Sequence, residues 1–401
     1  MKLCILAPRF PFPENGGDVL RINNIARYLK SKDFELVLIS FYEDEIRLKK
    51  EYFALYDTIY MIKRRKSVSL LMSLLFALSG RPIQCGYYFS LSFLRQLRRT
   101  IRQESPDEFV SHLLRMVPYL ELNHQQRKSV VEMTDALSKT YGLSTKAKGS
   151  PIKKAVYRLE LRLIRRYEKS VVSRFPKVVL VSEGDAQYLR RLCGGKSKSI
   201  AVHTNGVDCL PEIPREYDRN RICFVGNMRT LQNQDAVLHF VQDIFPHIKQ
   251  AVPDAVFMII GAEPPETIRA LDNGKDVIVT GFVDDVMESV SGCCLAVAPV
   301  RVAAGIQNKV LVAMGCGVPV VMTPLIATAI PELSDGGNCF ISDYDHLFAE
   351  NCVSLMKDSA LREKISRQGY ETVRKHYSWD EKLAGYEKIA LTDGNAHELY
   401  T

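Results

Sequence analysis

The sequence predicts an α/β fold in two domains, each a parallel sheet wound by helices. Three observations carry that prediction. Short runs of consecutive apolar residues, such as 3–7 and 255–261, read as strands buried on both faces. Runs of this kind lead through a Gly- or Pro-marked turn into an amphipathic stretch, the strand–helix–strand alternation of a doubly wound sheet. The alternation stops in a proline- and turn-rich stretch at 203–214 and then restarts, in a chain of 401 residues, longer than one core usually fills.

In chain order, the strand at 3–7 ends in a loop too rich in Pro and Gly to be regular (Pro8, Pro11, Pro13, Gly16, Gly17). Val19, Leu20, Ile22, Ile25, Ala26 and Leu29 then recur at helical spacing, and 36–40 is the next strand. Further strands are expected at 58–62, 109–110, 129–133 and 178–181, with a long charged helix at 151–174. Beyond the linker, strands are expected at 221–225, 255–261, 277–280, 294–299 and 318–323, and helices at 235–250 and 309–314. The expected domains are therefore 1–205 and 206–377, with a closing amphipathic helix at 378–392 crossing back to the first.

Composition narrows the class. With 46% hydrophobic and 25% charged residues, little of the chain is expected to be disordered. The ten cysteines are scattered, mostly in apolar runs, without a Cys-x-x-Cys; this is the pattern of reduced core thiols in a cytosolic protein. The six apolar residues after Met1-Lys2 read as a strand rather than a secretory signal, and no run reaches the roughly 20 residues of a spanning helix. A net charge of +8 points to an anionic partner, whether nucleic acid, anionic lipid or phosphorylated substrate. Nucleic acid is disfavoured, because no helix-turn-helix, zinc or aromatic–basic motif is present.

Taken singly, the glycine loops are no more than tight strand-to-helix turns, with neither a Gly-x-Gly-x-x-Gly fingerprint nor a Walker lysine. The stretch 298–309 is more informative. It places a strand end, Arg301, Gly305 and Ile306 just before a helix that opens at Lys309. Free amides at such a helix start, with two cations beside them, suit a diphosphate.

The order of motifs from Ile222 to Tyr377 resembles the donor-binding domain of glycosyltransferase family 4, whose fold is called GT-B. The motifs are Phe224-Val225-Gly226-Asn227-Met228, Ile259-Ile260-Gly261, Gly281-Phe282-Val283, Gly305-Ile306-Gln307-Asn308-Lys309, Gly315-Cys316-Gly317-Val318-Pro319 and Ile330-Pro331-Glu332-Leu333. The first half is similar to a bacterial polysaccharide subgroup of that family, through Pro8-Arg9-Phe10-Pro11, Gly16-Gly17-Asp18, Arg21 and Asp135-Ala136-Leu137-Ser138. The resemblance implies two Rossmann-like domains facing a central cleft. It also implies metal-independent transfer of a sugar, with retention, from a nucleoside-diphosphate donor, and no cofactor.

Carried over by position, Gly16 and Gly17 would approach the donor phosphates. Lys309, with backbone at Gly305 and Ile306, would hold the departing diphosphate. Gly281, Phe282 and Val283 would line the base pocket, Glu332 would lie at the end of the donor site, and Arg301 would add charge. Two departures stand out. The family's paired glutamates are replaced by Ala304 and Val312, and the arginine and lysine usual after Gly226 by Asn227 and Gln232, with Arg229 as a substitute. Losing the ribose contacts would cost donor binding roughly 1–3 kcal/mol. The same replacements fit a catalytically silent scaffold that partners an active transferase. Catalytic candidates beside Lys309 are His112 and Asp135, although a loop histidine and a helix N-cap aspartate are equally available readings. Arg115 would hold an acceptor phosphate or pair with a surface carboxylate. Asp343-Tyr344-Asp345 is rejected as a metal motif, because Asp345 sits where a helix N-cap belongs.

The basic cluster Lys63-Arg64-Arg65-Lys66 precedes a short, almost wholly apolar helix at 67–78. That combination reads as a segment lying on an anionic membrane, or else as a core helix with a solvated basic cap. The basic residues of helix 151–174 add to the first reading. The expectation is a cytoplasmic hexosyltransferase, peripheral on the inner face of the cytoplasmic membrane. Its acceptor would be a lipid-linked saccharide of a surface polysaccharide or lipopolysaccharide.

Overall fold

The computed structural model describes residues 1–14, 17–43, 49–144, 151–195, 199–214, 216–301 and 306–391. The chain divides into two compact units: Met1–Asn205 with Leu383–Thr401, and Gly206–Lys382. Each is built on a wholly parallel sheet.

In unit 1 the strands are β1 (Lys2–Ala7), β2 (Glu35–Tyr42), β3 (Thr58–Lys63), β4 (Glu108–His112), β5 (Ser129–Thr134), β6 (Lys177–Leu180) and β7 (Ile200–Val202). Their order is β3-β2-β1-β4-β5-β6-β7. The continuous apolar runs have the expected cause, since Leu3–Ala7 are fully buried and so are Leu36–Ile39. Parallel neighbours require crossover helices, and Gly17–Lys30 supplies the first, placing Val19, Ile22, Ile25, Ala26 and Leu29 inside. The strand expected at 109–110 runs from Glu108 to His112, so His112 ends a strand rather than lying in a loop.

In unit 2 the strands are β8 (Asp218–Val225), β9 (Val256–Ile260), β10 (Val277–Gly281), β11 (Cys293–Ala298), β12 (Val320–Met322) and β13 (Phe340–Ile341), in the order β10-β9-β8-β11-β12-β13. The helix expected at 235–250 is broken. It runs as Leu231–His239, a π-turn Phe240–Ile244 and a short helix Phe245–Ala251. Pro246 has no N–H to continue the ladder, and the Phe245 N–H bonds instead to the Phe240 carbonyl, five residues back. Gly261 follows β9 because nothing larger fits: a Cβ there would stand 1.8 Å from the Gly226 carbonyl oxygen.

The closing helix expected at 378–392 is two short helices, Trp379–Lys382 in unit 2 and Tyr386–Leu391 in unit 1. Gly385, at φ +79°, turns the chain between them. At the start of unit 2, Gly206 lies so close to Trp379 that a Cβ would sit 2.4 Å from its Cα. Trp379 is buried, and its indole N–H has no hydrogen-bond partner among the described residues.

Candidate functional site

In an open parallel sheet the ligand crevice lies beyond the carboxyl ends of the strands, where the strand order reverses. That point falls between β8 and β11 in unit 2 and between β1 and β4 in unit 1.

At the unit 2 switch point β8 ends in Gly226-Asn227, and the helix Asn308–Gly315 follows β11. Gln307 is the N-cap of this helix and provides no side-chain cap, while its carbonyl accepts from the Val310 amide at 3.0 Å. Lys309 lies in that first turn. Its ammonium sits 4.4 Å from the centroid of the Phe224 ring and donates to the Asn233 Oδ1. Among the described residues no carboxylate pairs with it, and burial lowers its pKa to about 8. Asn233 is itself buried and fixed, donating through Nδ2 to the Asn227 carbonyl at 2.8 Å. Gly226 makes room for it, since a Cβ there would stand 2.6 Å from the Asn233 Nδ2.

The other unit 2 candidates are placed less centrally. Arg301 forms a two-point ion pair with Asp235, Nη2–Oδ1 2.6 Å and Nε–Oδ2 3.1 Å, and holds that carboxyl below its ordinary range. Arg229 is highly exposed and paired with Glu263. Asn227 uses its side-chain oxygen to accept from the Arg229 amide at 2.9 Å. Gly281 ends β10 in the left-handed region at φ +70°, Phe282 is exposed, and Val283 packs against the unit 2 core. The Glu332 carboxylate accepts from the Tyr377 hydroxyl. Ile306 is exposed, and Val312, where the family has a glutamate, packs half-buried against the core. Gly305, Ala304 and Gly16 lie outside the described residues. Asp345 is not an N-cap: Tyr344 occupies that position, and Asp345, one residue inside, pairs with His239 at 3.0 Å. Among the described residues no group of three or more His, Cys, Asp or Glu is placed to hold a metal ion.

At the unit 1 switch point His112 is buried with neither ring nitrogen hydrogen-bonded among the described residues, and burial lowers its pKa to about 4, so the ring is neutral at pH 7. Gly17, exposed, opens the helix after β1, and its neighbour Asp18 pairs with Arg9. Asp135 is exposed in the turn after β5, and its carboxyl is raised by partial burial and by Asp185. Sequence reasoning missed the network beside them. Arg21, fully buried, grips Glu132 on β5 through Nε–Oε2 at 2.7 Å and Nη2–Oε1 at 3.2 Å. Its Nη1 reaches the Asn205 Oδ1 at 3.0 Å, and the Tyr386 hydroxyl donates to Glu132 at 3.0 Å. The available signal was one glutamate inside the apolar run 129–133, since a buried carboxylate needs a cation somewhere.

Of the basic cluster, Lys63, Arg65 and Lys66 are exposed. Arg64 is not: its side chain is only 7% exposed, paired with Glu43 and stacked on Tyr87 and Tyr88. Arg115 donates to the Gln84 Oε1 at 3.0 Å and lies over the Tyr88 ring.

The two halves match two family descriptions in tandem: "Glycosyltransferase Family 4" over residues 15–209 and "Glycosyl transferases group 1" over 219–358. The chain belongs to glycosyltransferase family 4. Comparison with curated proteins finds no significant sequence match. Similar solved structures include Anabaena Alr3699/HepE in complex with UDP, with TM-score 0.60, 14% identity and coverage of 97% of this chain and 100% of that one. They also include WaaG, a glycosyltransferase involved in lipopolysaccharide biosynthesis (TM-score 0.58, 13% identity, 96% and 99% covered). A third is a point mutant of S. aureus TarM in a complex that includes UDP (TM-score 0.62, 10% identity, 98% and 100% covered). These likenesses show the GT-B fold. The protein is thus a GT-B glycosyltransferase with a seven-stranded and a six-stranded Rossmann-like unit.

Proposed function

We propose that unit 2 binds a nucleoside-diphosphate sugar and that the chain transfers its sugar, hexose-type and with retention, to a lipid-linked saccharide acceptor held by unit 1. The product would be a bacterial surface polysaccharide or lipopolysaccharide, and the site of action the inner face of the cytoplasmic membrane. The observation that supports this reading is Lys309. A half-buried ammonium with no paired carboxylate among the described residues, in the first turn of a helix at a switch point, suits an anion. Its charge would neutralise the pyrophosphate as the glycosidic bond breaks, which is the step where added charge accelerates transfer most. The HepE structures in complex with UDP and with UDP-glucose support the donor class.

On the acceptor side, neutral His112 is suited to exchange hydrogen bonds with sugar hydroxyls, and Asp135 and Arg115 stand as polar and cationic candidates. In this reading the chain's own groups suffice, and no metal is assigned a step. Calorimetric titration with nucleoside diphosphates tests the donor site. Binding that is lost in Lys309→Ala, with the unfolding temperature of the free protein unchanged, is the expected result. No binding to any of them would favour the silent scaffold instead.

A further inference from the structure

The helix Lys66–Leu78 is inside out. Its buried positions are Ser69 (2% exposed), Ser73 (8%) and Phe76. Its exposed apolar positions are Val68, Leu70, Leu71, Leu74, Leu75 and Leu78, the last 76% exposed. The leucines at 71, 74, 75 and 78 recur at three- and four-residue spacing and so form one ridge along the helix.

Packing explains which face turned in. The next helix, Ile83–Tyr87, comes so close that a Cβ on Gly86 would stand 2.5 Å from the Met72 carbonyl oxygen and 2.8 Å from the Phe76 Cβ. The neighbouring helix thus packs on the side of Met72 and Phe76, and the leucines stay exposed. Exposing so many leucines in water is unfavourable by the area rule, and a continuous patch of this kind marks a surface that something covers. Charge indicates what covers it. Lys63, Arg65 and Lys66 are exposed at the start of the helix, and no acidic residue lies between 66 and 78. A second apolar turn adjoins. Glu160 of the helix Pro151–Arg174 accepts from the Ile83 amide at 2.7 Å and the Gln84 amide at 3.1 Å, and Val156, Tyr157 and Leu159 before it are exposed, as are Arg158 among them and Arg162 after it. Among the described residues no helix is long and apolar enough to cross a membrane.

We propose that the leucine ridge of Lys66–Leu78 inserts into the headgroup–acyl boundary of an anionic bilayer, with Lys63, Arg65 and Lys66 on its headgroups. It rests on the reading of the acceptor as lipid-linked for its purpose, but the binding is measured without any sugar. Apolar burial and charge each contribute to such a surface.

The test is co-sedimentation of the full chain with phosphatidylcholine vesicles, with and without phosphatidylglycerol. The protein should bind the phosphatidylglycerol vesicles more strongly. The triple substitution Leu71→Ser, Leu74→Ser, Leu78→Ser should lower partitioning about tenfold or more. Lys63→Ala, Arg65→Ala, Lys66→Ala should lower it severalfold on anionic vesicles only. The leucine variant should keep its unfolding temperature and its nucleoside-diphosphate binding, so that loss of vesicle binding is separate from failure of the donor site. Three results overturn the proposal: no binding of the unaltered chain to either vesicle, equal binding by the leucine variant, or a leucine variant that abolishes only concentration-dependent self-association. The last would show that a second copy covers the ridge.

Discussion

At the carboxyl edge of the first sheet, the buried charges Arg21 and Glu132 neutralise each other, Asn205 and Tyr386 fill their remaining hydrogen bonds, and His112 is held neutral. At the corresponding edge of the second sheet, Lys309 is half-buried against an amide oxygen and an aromatic face, without a counter-charge among the described residues. The same topology thus carries a compensated edge in one unit and an uncompensated one in the other. A compensated edge has no use for a charged ligand and suits a polyhydroxylic one. An uncompensated edge gains most from an anion, since the desolvation cost is already included in the folded state.

The largest expected effect is on the compensated side. Arg21→Met strands Glu132 in the interior and should cost about 3–5 kcal/mol in denaturant unfolding; an unaltered midpoint would mean that the pair does not balance. Next comes Lys309→Ala, which should reduce turnover by roughly 10²–10³ without a loss of stability. Equal turnover in the two proteins would remove the anion site from the comparison.

The third prediction is a pH dependence. Burial depresses the Lys309 pKa to about 8, and a diphosphate binds the protonated form. Donor affinity should therefore be full below pH 8 and fall as pH rises through it, approaching a tenfold loss per unit. An isotherm series flat from pH 7 to 9.5 would show the ammonium to be uninvolved. Last, Arg301→Gln breaks only an exposed pair with Asp235 and should change stability by about 1 kcal/mol or less. A donor affinity that drops as far as in Lys309→Ala would show that Arg301 leaves Asp235 for the ligand.

Much of the architecture was legible because burial on both faces writes itself as uninterrupted apolar residues, as at 3–7 and 36–39. Lys309 was legible because a cation at a helix start after a strand is a local pattern. The charge partners were not, since Arg21 and Glu132 are 111 residues apart and nothing local links them. For the same reason the sequence groups Arg64 with its exposed neighbours, although Glu43 and two tyrosines hold it. From sequence the apolar stretch at 67–78 reads as a helix lying on a membrane or as a buried core helix. The side that turns inward meets Gly86, on a different helix, at Met72 and Phe76, and nothing local in the stretch marks that contact. The break before Pro246 was visible in principle, since that proline could not have continued a regular helix.

Trp379 is the sole tryptophan of the chain, enclosed where the backbone of Gly206 presses against it. Its intrinsic emission therefore reports on a single place, the short stretch through which the chain enters and leaves unit 2. A shift in that signal on adding nucleotide would record a disturbance there without any attached dye.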